Sequence, residues 1–253
     1  MYDFSVDELL IGATFWATGY AVSTAGSAMI IESSIRPGRE FADSYKFGGE
    51  WEYVCLTKEG ELFKNRLKET NVISEHQEPV LQAYIPLLCE IILEKRLNVL
   101  LSTRLISVEK EAEGYTAQIC NASGIARIRA GRVIHTETPG KFGKKGINAM
   151  LLNKSRKSYY YSCDKFSVYA RDNTAYLKMP VEREDTILTA RQKLYDLLKT
   201  KPEQLDGFRL ISIGSVFEYY DFRHSPESFS AGYENPVQAF DMGALAGKGG
   251  MAV

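Results

Sequence analysis

With 253 residues, 45% of them hydrophobic and 25% charged, the chain has the composition of a globular protein with a buried core, not of a fibrous or disordered one. Its net charge of −1 provides no global field that would draw it onto nucleic acid or an anionic membrane. The four cysteines (Cys55, Cys89, Cys120, Cys163) form no CxxC pair, and the three histidines (His76, His135, His224) stand in no HExxH or HxH pattern, so reduced thiols in a cytoplasmic protein without a metal site are expected.

From Leu9 to Ile31 no charged residue occurs, a length that would suit a membrane-crossing helix. Gly12, Gly19 and Gly26 interrupt the stretch, Glu32 ends it and no basic flank follows, which points to a soluble element instead. Asp7–Ile11 reads as a short strand and Gly12-Ala13-Thr14-Phe15-Trp16-Ala17 as a turn. A helix over Ala17–Ala25 is stopped by Gly26, and Ser27–Glu32 reads as a second buried strand ending in an acid.

Strand, turn, helix, strand, acid is the order of a dinucleotide-binding βαβ unit. Its turn needs small residues for sharp geometry, for approach of the pyrophosphate and for helix-to-strand packing. Gly12, Thr14 and Ala17 fill those slots, with Phe15 between the last two. Thr14 departs from the pattern: its branched side chain crowds a diphosphate, although its hydroxyl can donate a hydrogen bond. Glu32 follows Gly12 by twenty residues, the spacing at which a carboxylate accepts from an adenosine ribose, and Ser33 lies beside it. Arg36 and Arg39 follow closely, placed either to neutralise phosphate or to stand as solvated loop charges.

Farther along, Pro79–Lys95 reads as a helix with Leu81, Tyr84, Leu87, Leu88, Ile91 and Ile92 on one face, kinked at Pro86. Asn98–Leu101 reads as a short buried strand. Thr103–Glu109, Gly114–Asn121 and Ile125–Ile128 read as a three-part β-meander, and Arg132–Thr136 as a closing strand. The aromatic stretch Tyr159–Pro180 suggests two or more strands, around Lys165–Ala170 and Ala175–Met179. Glu182–Lys199 reads as a helix and Phe208–Tyr220 as a further strand. The basic clusters Lys141–Lys145 and Lys154–Lys157 hold three cations each and read as solvated faces, not as a nucleic-acid groove.

The opening unit and the order of the segments after it resemble the flavin-dependent oxidoreductases whose FAD domain is of the glutathione-reductase-like Rossmann type. The resemblance implies an α/β fold: a Rossmann-type parallel sheet with a β-meander, plus a smaller antiparallel substrate or cap sheet. It implies an FAD-binding domain over residues 1–140 and 230–253, and a substrate domain over 141–229. It further implies that the strand near Leu105 lends backbone atoms to the adenine. The triplet Thr136-Glu137-Thr138 stands where the family has Ala-Thr-Gly. In Asn235–Gly243, Asp241 takes the place of an aspartate that binds the ribityl chain. Gly243 and Ala244 would begin a helix aimed at the flavin pyrimidine ring, and the loop Ser44–Gly49 would approach the ring.

The expected function is therefore an FAD-dependent oxidoreductase acting on a small organic substrate by hydride transfer through flavin. A single dinucleotide fingerprint leaves no place for an inserted NAD(P)H domain, so electrons would come from a substrate or a partner protein. The alternative is a flavoprotein-like subunit or degenerate relative acting with a partner chain, or within a homo-oligomer. A third is an NAD(H) enzyme, which Glu32 would suit equally. No residue declares itself a general base, and the catalytic residues stay unassigned.

Overall fold

The structure, a computed structural model, describes residues 3–24, 26–73, 79–137, 143–220 and 228–249. Strand β1 (Asp3–Ile11) buries Leu9 and Leu10 completely and turns at Gly12 into helix α1 (Phe15–Ser23). Gly12 holds φ +104°, which a residue with a Cβ rarely adopts. Strand β2 (Ala28–Ile31) is buried at every position and runs parallel to β1. The βαβ unit thus forms where the sequence places it. Among the described residues no helix is long and apolar enough to cross a membrane.

A short helix α2 (Arg39–Ala42) precedes α3 (Lys58–Glu69), whose Thr57 cap accepts from the Gly60 N–H and whose first turn carries Glu59 and Glu61. Only Gly60, Phe63 and Leu67 of α3 are buried, a stripe too sparse to mark the helix in the sequence. The expected helix over Pro79–Lys95 divides into a 3-10 turn at Leu81–Ala83 and α4 (Tyr84–Glu94). Pro86, expected to kink a longer helix, lies in the first turn of α4, where a backbone N–H has no intrahelical partner to lose.

Strands β3 (Asn98–Leu100), β4 (Arg104–Lys110), β5 (Tyr115–Asn121) and β6 (Gly124–His135) complete a sheet of order β3-β2-β1-β6-β5-β4. The expected third meander strand and the closing strand are one continuous strand. Along β6, pairing with β1 is parallel from Asp3↔Arg127 to Ile11↔His135, and pairing with β5 is antiparallel. Three residues join β3 at one edge to β4 at the other, a reach of roughly 14 Å, whereas five strand spacings span roughly 24 Å. The sheet must therefore fold over itself, with its antiparallel half covering one face of the parallel half. Leu9, Met29 and Ile31 accordingly share a cluster with Ala117, Ile119 and Ile128, and Leu105 packs at its margin.

The second sheet contains β7 (Lys144–Asn153), β8 (Tyr159–Ser162), β9 (Ser167–Arg171), β10 (Thr174–Val181) and β11 (Phe208–Ile213), ordered β11-β7-β10-β9-β8, with β12 (Glu218–Tyr220) also on β7. With six strands it equals the first sheet in strand number and is not the smaller one expected. Helix α5 (Ile187–Lys199), capped by Thr186, packs Ala190 and Leu194 against Ile147, Leu151, Val168 and Leu177 of the sheet. The expected strand over Phe208–Tyr220 is broken between β11 and β12, where the Gly214 N–H donates to the Asn148 carbonyl.

The chain ends in a 3-10 turn at Ser230–Gly232 and helix α6 (Pro236–Gly247), started by an Asn235 cap and a proline in its first turn. Helix α6 crosses α1 with the backbones in contact. A Cβ built on Gly19 would lie 1.9 Å from the Phe240 carbonyl oxygen, and one on Gly243 would lie 2.0 Å from that of Trp16.

Candidate functional site

The carboxyl ends of β1, β2 and β6 converge on the start of α1, the position at which open α/β sheets receive ligands. Glu32, 2% exposed, follows β2 directly. Its Oε2 accepts from the Ala13 N–H at 3.0 Å, and its Oε1 accepts from the Ser34 N–H at 2.7 Å and the Ser33 hydroxyl at 3.4 Å. Thr14, the departure from the small-residue pattern, caps α1: its hydroxyl accepts from the Ala17 N–H at 3.1 Å and donates to Thr136 Oγ1 at 3.0 Å. The Thr136 hydroxyl in turn reaches the carbonyls of Ile11 and Gly12, at 2.9 and 3.1 Å, tying the end of β6 to the turn. Ala17 is buried in the packing of α1 on the sheet, beside Leu10 and Ile30.

Phe15 has two separate jobs. Its ring sits edge-on to Phe41 and Tyr84, with centroids 5.5 and 5.6 Å away, and belongs to the core. Its N–H donates to Glu40 Oε1 at 2.8 Å, while the Trp16 N–H donates to Ser230 Oγ at 3.2 Å, and Ser230 donates to Glu40 at 2.7 Å. The donors at the start of α1 are thus met by Glu32, Thr14, Glu40 and Ser230. Neither Glu40 nor Ser230 was visible as a site residue in the sequence: Glu40 reaches the turn from the separate short helix α2, and Ser230 stands 214 residues from Trp16.

Glu137 lies over the turn: a Cβ on Gly12 would stand 2.2 Å from its Cγ. Burial, the neighbouring Glu32 charge and a hydrogen bond to Glu32 push the Glu137 carboxyl up to about 8. Burial likewise pushes Glu40 up to about 7, against the pull of the Phe15 N–H and Ser230. Arg39 does not pair with these acids; it bonds Asp43 at 2.9 Å, as Arg36 does at 2.8 Å. A cavity of about 340 Å³ extends from Ser33, Arg39, Glu40, Thr136 and Glu137 to Phe217, Tyr219 and Phe229 at the second sheet.

A stability prediction arises from Glu40. At pH values below its ordinary 4.5 the carboxyl is protonated both folded and unfolded, and burial costs it nothing. Above about 7 the fold must hold a buried carboxylate, so stability falls between those values by roughly 3 kcal/mol. Urea unfolding at pH 5 and pH 8 should show that loss in the wild type and much less of it in Glu40→Gln; matching losses in both proteins would reject this role.

The loop Ser44–Gly49 is held by the buried Lys46, whose Nζ donates to the carbonyls of Tyr219, Ala231 and Tyr233 at 3.2, 3.0 and 2.7 Å, and burial pulls its pKa down. Beside it, a concavity of about 220 Å³ runs between Phe47 and the second sheet, where Tyr169 and Tyr176 face the Phe47 ring. Lys178 and Glu218 form a 2.7 Å ion pair on its wall, and Asn148 donates to Glu218 and to the Ser44 carbonyl. Lys46, Asn148 and Glu218 carried no signal in the sequence.

Three expected residues take other positions. Asp241 stands inside α6, not at a helix start. Its carboxylate accepts from the Tyr53 hydroxyl at 2.7 Å, the N–H groups of Leu56 and Thr57 at 2.7 and 2.9 Å, and the Thr57 hydroxyl at 2.5 Å, which secures the start of α3. Gly243 and Ala244 do not begin a helix either: Gly243 is the contact of α6 with α1, and Ala244 is fully buried. The physical reason is the stronger start signal upstream, since Asn235 caps and Pro236 lacks the N–H that a first turn leaves idle. Leu105 lies just beyond Thr103, whose N–H donates to the Glu32 carbonyl at 2.8 Å, so the entry to β4 does border the acid. His135 ends β6 with its side chain exposed, whereas His76, His224 and Thr138 lie outside the described residues. No cluster suited to a metal ion occurs among the described residues.

No protein-family model and no curated protein matches the chain. Solved structures do. A geranylgeranyl bacteriochlorophyll reductase-like protein from Thermoplasma acidophilum matches with a TM-score of 0.61 and 12% identity, over 98% of this chain and 78% of that one. The substrate-free form of the rebeccamycin biosynthetic enzyme RebC matches with a TM-score of 0.54 and 13% identity, over 87% of this chain and 55% of that one. Aklavinone-11 hydroxylase, solved with FAD and aklavinone, matches with a TM-score of 0.55 and 12% identity, over 84% and 53%. The chain spans about half the length of the last two. At these identities the likeness establishes a shared α/β fold with a second, antiparallel sheet.

Proposed function

We propose that the chain is an FAD-dependent oxidoreductase that acts on a small organic substrate. The observation that carries this reading is the buried Glu32 carboxylate, held at the Gly12 turn at the carboxyl ends of parallel β1 and β2. That is where an adenosine ribose would donate both hydroxyls. The fold shared with a hydroxylase that holds FAD adds to it.

The residues suit the group along most of its length. Glu32 and Ser33 would hold the ribose, the β4 entry near Leu105 would border the adenine, and Gly12, Thr14, Phe15, Ala17 and Thr136 would shape the turn beneath the diphosphate. Arg39 stands on the cavity wall. At the diphosphate place itself the Glu137 side chain must swing aside, which a flexible side chain on a partly exposed residue can do. Residues 1–140 and 230–253 would form the cofactor domain and 141–229 the substrate domain.

Bound FAD supplies hydride acceptance and donation. The chain contributes orientation: Lys46 anchors the loop beside the Phe47 concavity, and Phe47, Tyr169 and Tyr176 line it. Asp241, Gly243 and Ala244 have no part in this reading.

The test is a visible spectrum of the purified protein, followed by identification of the ligand that heat releases. The expected outcome is a yellow protein releasing FAD, with Glu32→Ala losing about 10- to 100-fold in FAD affinity as two charge-assisted hydrogen bonds go. A colourless protein that takes up no added FAD overturns the reading.

A further inference from the structure

We infer that Glu137 is a self-plug of the dinucleotide site: its side chain lies where the diphosphate must sit, and loading requires it to leave the Gly12 turn and swing out into solvent. This rests on the dinucleotide reading and goes beyond it, because that reading concerns what binds and not what the free chain keeps in its place.

The geometry is specific. The Glu137 side chain rests on the Gly12 turn, with Cγ and Cδ 2.2 and 2.7 Å from where a Cβ would stand. Beneath it, the N–H groups of Ala13 and Phe15 are already taken by Glu32 and Glu40. The charged groups facing Glu137 are Glu32 after β2, and Glu40 and Arg39 on α2. Arg39 is bonded to Asp43. From the second sheet the cavity presents Ser215, Phe217 and Tyr219, none charged at neutral pH. Three carboxyls therefore surround a place meant for a dianion, with one committed guanidinium against them. Helix N-termini ordinarily welcome a phosphate; here the Glu137 side chain occupies that place until it moves away. Burial and the Glu32 charge hold the Glu137 carboxyl up at about 8, within the range where a working protein can titrate it.

Linkage sets the size of the effect. Because the plugged carboxyl is held up at about 8 and returns to its ordinary 4.5 once it swings into solvent, raising the pH from 7 to 9 strengthens diphosphate binding about tenfold through this group alone. The experiment is calorimetric titration of the intact protein with ADP and with adenosine at pH 7 and 9, for wild type, Glu137→Gln and Glu137→Ala, together with the protons released in buffers of different ionisation enthalpy. The expected result is that the wild type's ADP affinity rises between pH 7 and 9 by about tenfold relative to either variant, with proton release at pH 7 that the variants lack. Adenosine, without phosphate, should show no such relative rise. ADP binding by Glu137→Ala at a pH where the wild type binds none also supports the plug. Equal pH profiles in wild type and variants overturn it while leaving the dinucleotide reading intact, and so does an equal relative rise for adenosine. If none of the three proteins binds ADP or FAD at either pH, the dinucleotide reading falls and the plug falls with it.

Discussion

Asp241→Ala destabilises the cofactor-free protein by roughly 4 kcal/mol, because the carboxylate it removes is completely buried and accepts four hydrogen bonds. Two of the stranded donors are the backbone N–H groups of Leu56 and Thr57, at the entrance to α3, and helix starts lacking a cap lose stability of their own accord. The other two are the hydroxyls of the half-buried Tyr53 and the buried Thr57. Asp241→Asn keeps the shape but turns an amide toward those donors, and should cost roughly 2 kcal/mol. Urea unfolding of protein stripped of any ligand is the measurement. If Asp241→Ala unfolds at the wild-type urea concentration and loses only flavin affinity, the residue faces a cofactor and these hydrogen bonds do not hold α3.

The second large effect concerns the crossing of α1 and α6. Gly19→Val and Gly243→Val each drive a branched side chain into the backbone of the opposite helix, at Phe240 and Trp16 respectively. Backbone cannot step aside as a side-chain tip can, so the helices must separate. Separation would open the packing of Trp16, Tyr20 and Ala246 in the cluster beneath. Overpacking usually costs about 1–3 kcal/mol, and here roughly 4 kcal/mol or more is expected, enough to leave either variant largely insoluble or unfolded at 37 °C. Gly49→Ala serves as the control, since its nearest obstacle is the Glu234 carboxylate tip at 3.9 Å. Thermal melts that place Gly243→Val level with Gly49→Ala would refute the close crossing.

These two sites also mark where local pattern misleads. Asp followed by small residues near the chain's end reads as a cap and a helix start, yet Asn235-Pro236 begins the helix earlier and carries Asp241 into its interior. The small residues Gly243 and Ala244 serve a neighbouring helix, not a ligand. Similarly, Ile125–Ile128 and Arg132–Thr136 look like two strands because Gly131 lies between them, whereas pairing to β1 on one side and β5 on the other carries β6 straight through. Helix α3 escaped notice for a different reason: with three buried residues, it depends on its cap and on its neighbours more than on an apolar stripe.

What the sequence determined by itself is the βαβ unit: the strand ending at Ile11, the turn at Gly12, the helix, the second strand, and Glu32 beside that turn. These follow from interactions within about thirty residues, where turn geometry and strand burial leave a periodic trace. Tertiary structure alone decided the rest of the site. Glu40 meets Phe15 from a separate short helix outside that unit, Thr14 meets Thr136 across 122 residues, and Ser230 meets Trp16 across 214. Such contacts arise only when separate elements are packed, and hydrogen bonds between distant residues impose no spacing on the chain. The acid that lies over Gly12 belongs to this second class, because only the end of a strand paired alongside β1 can bring Glu137 there.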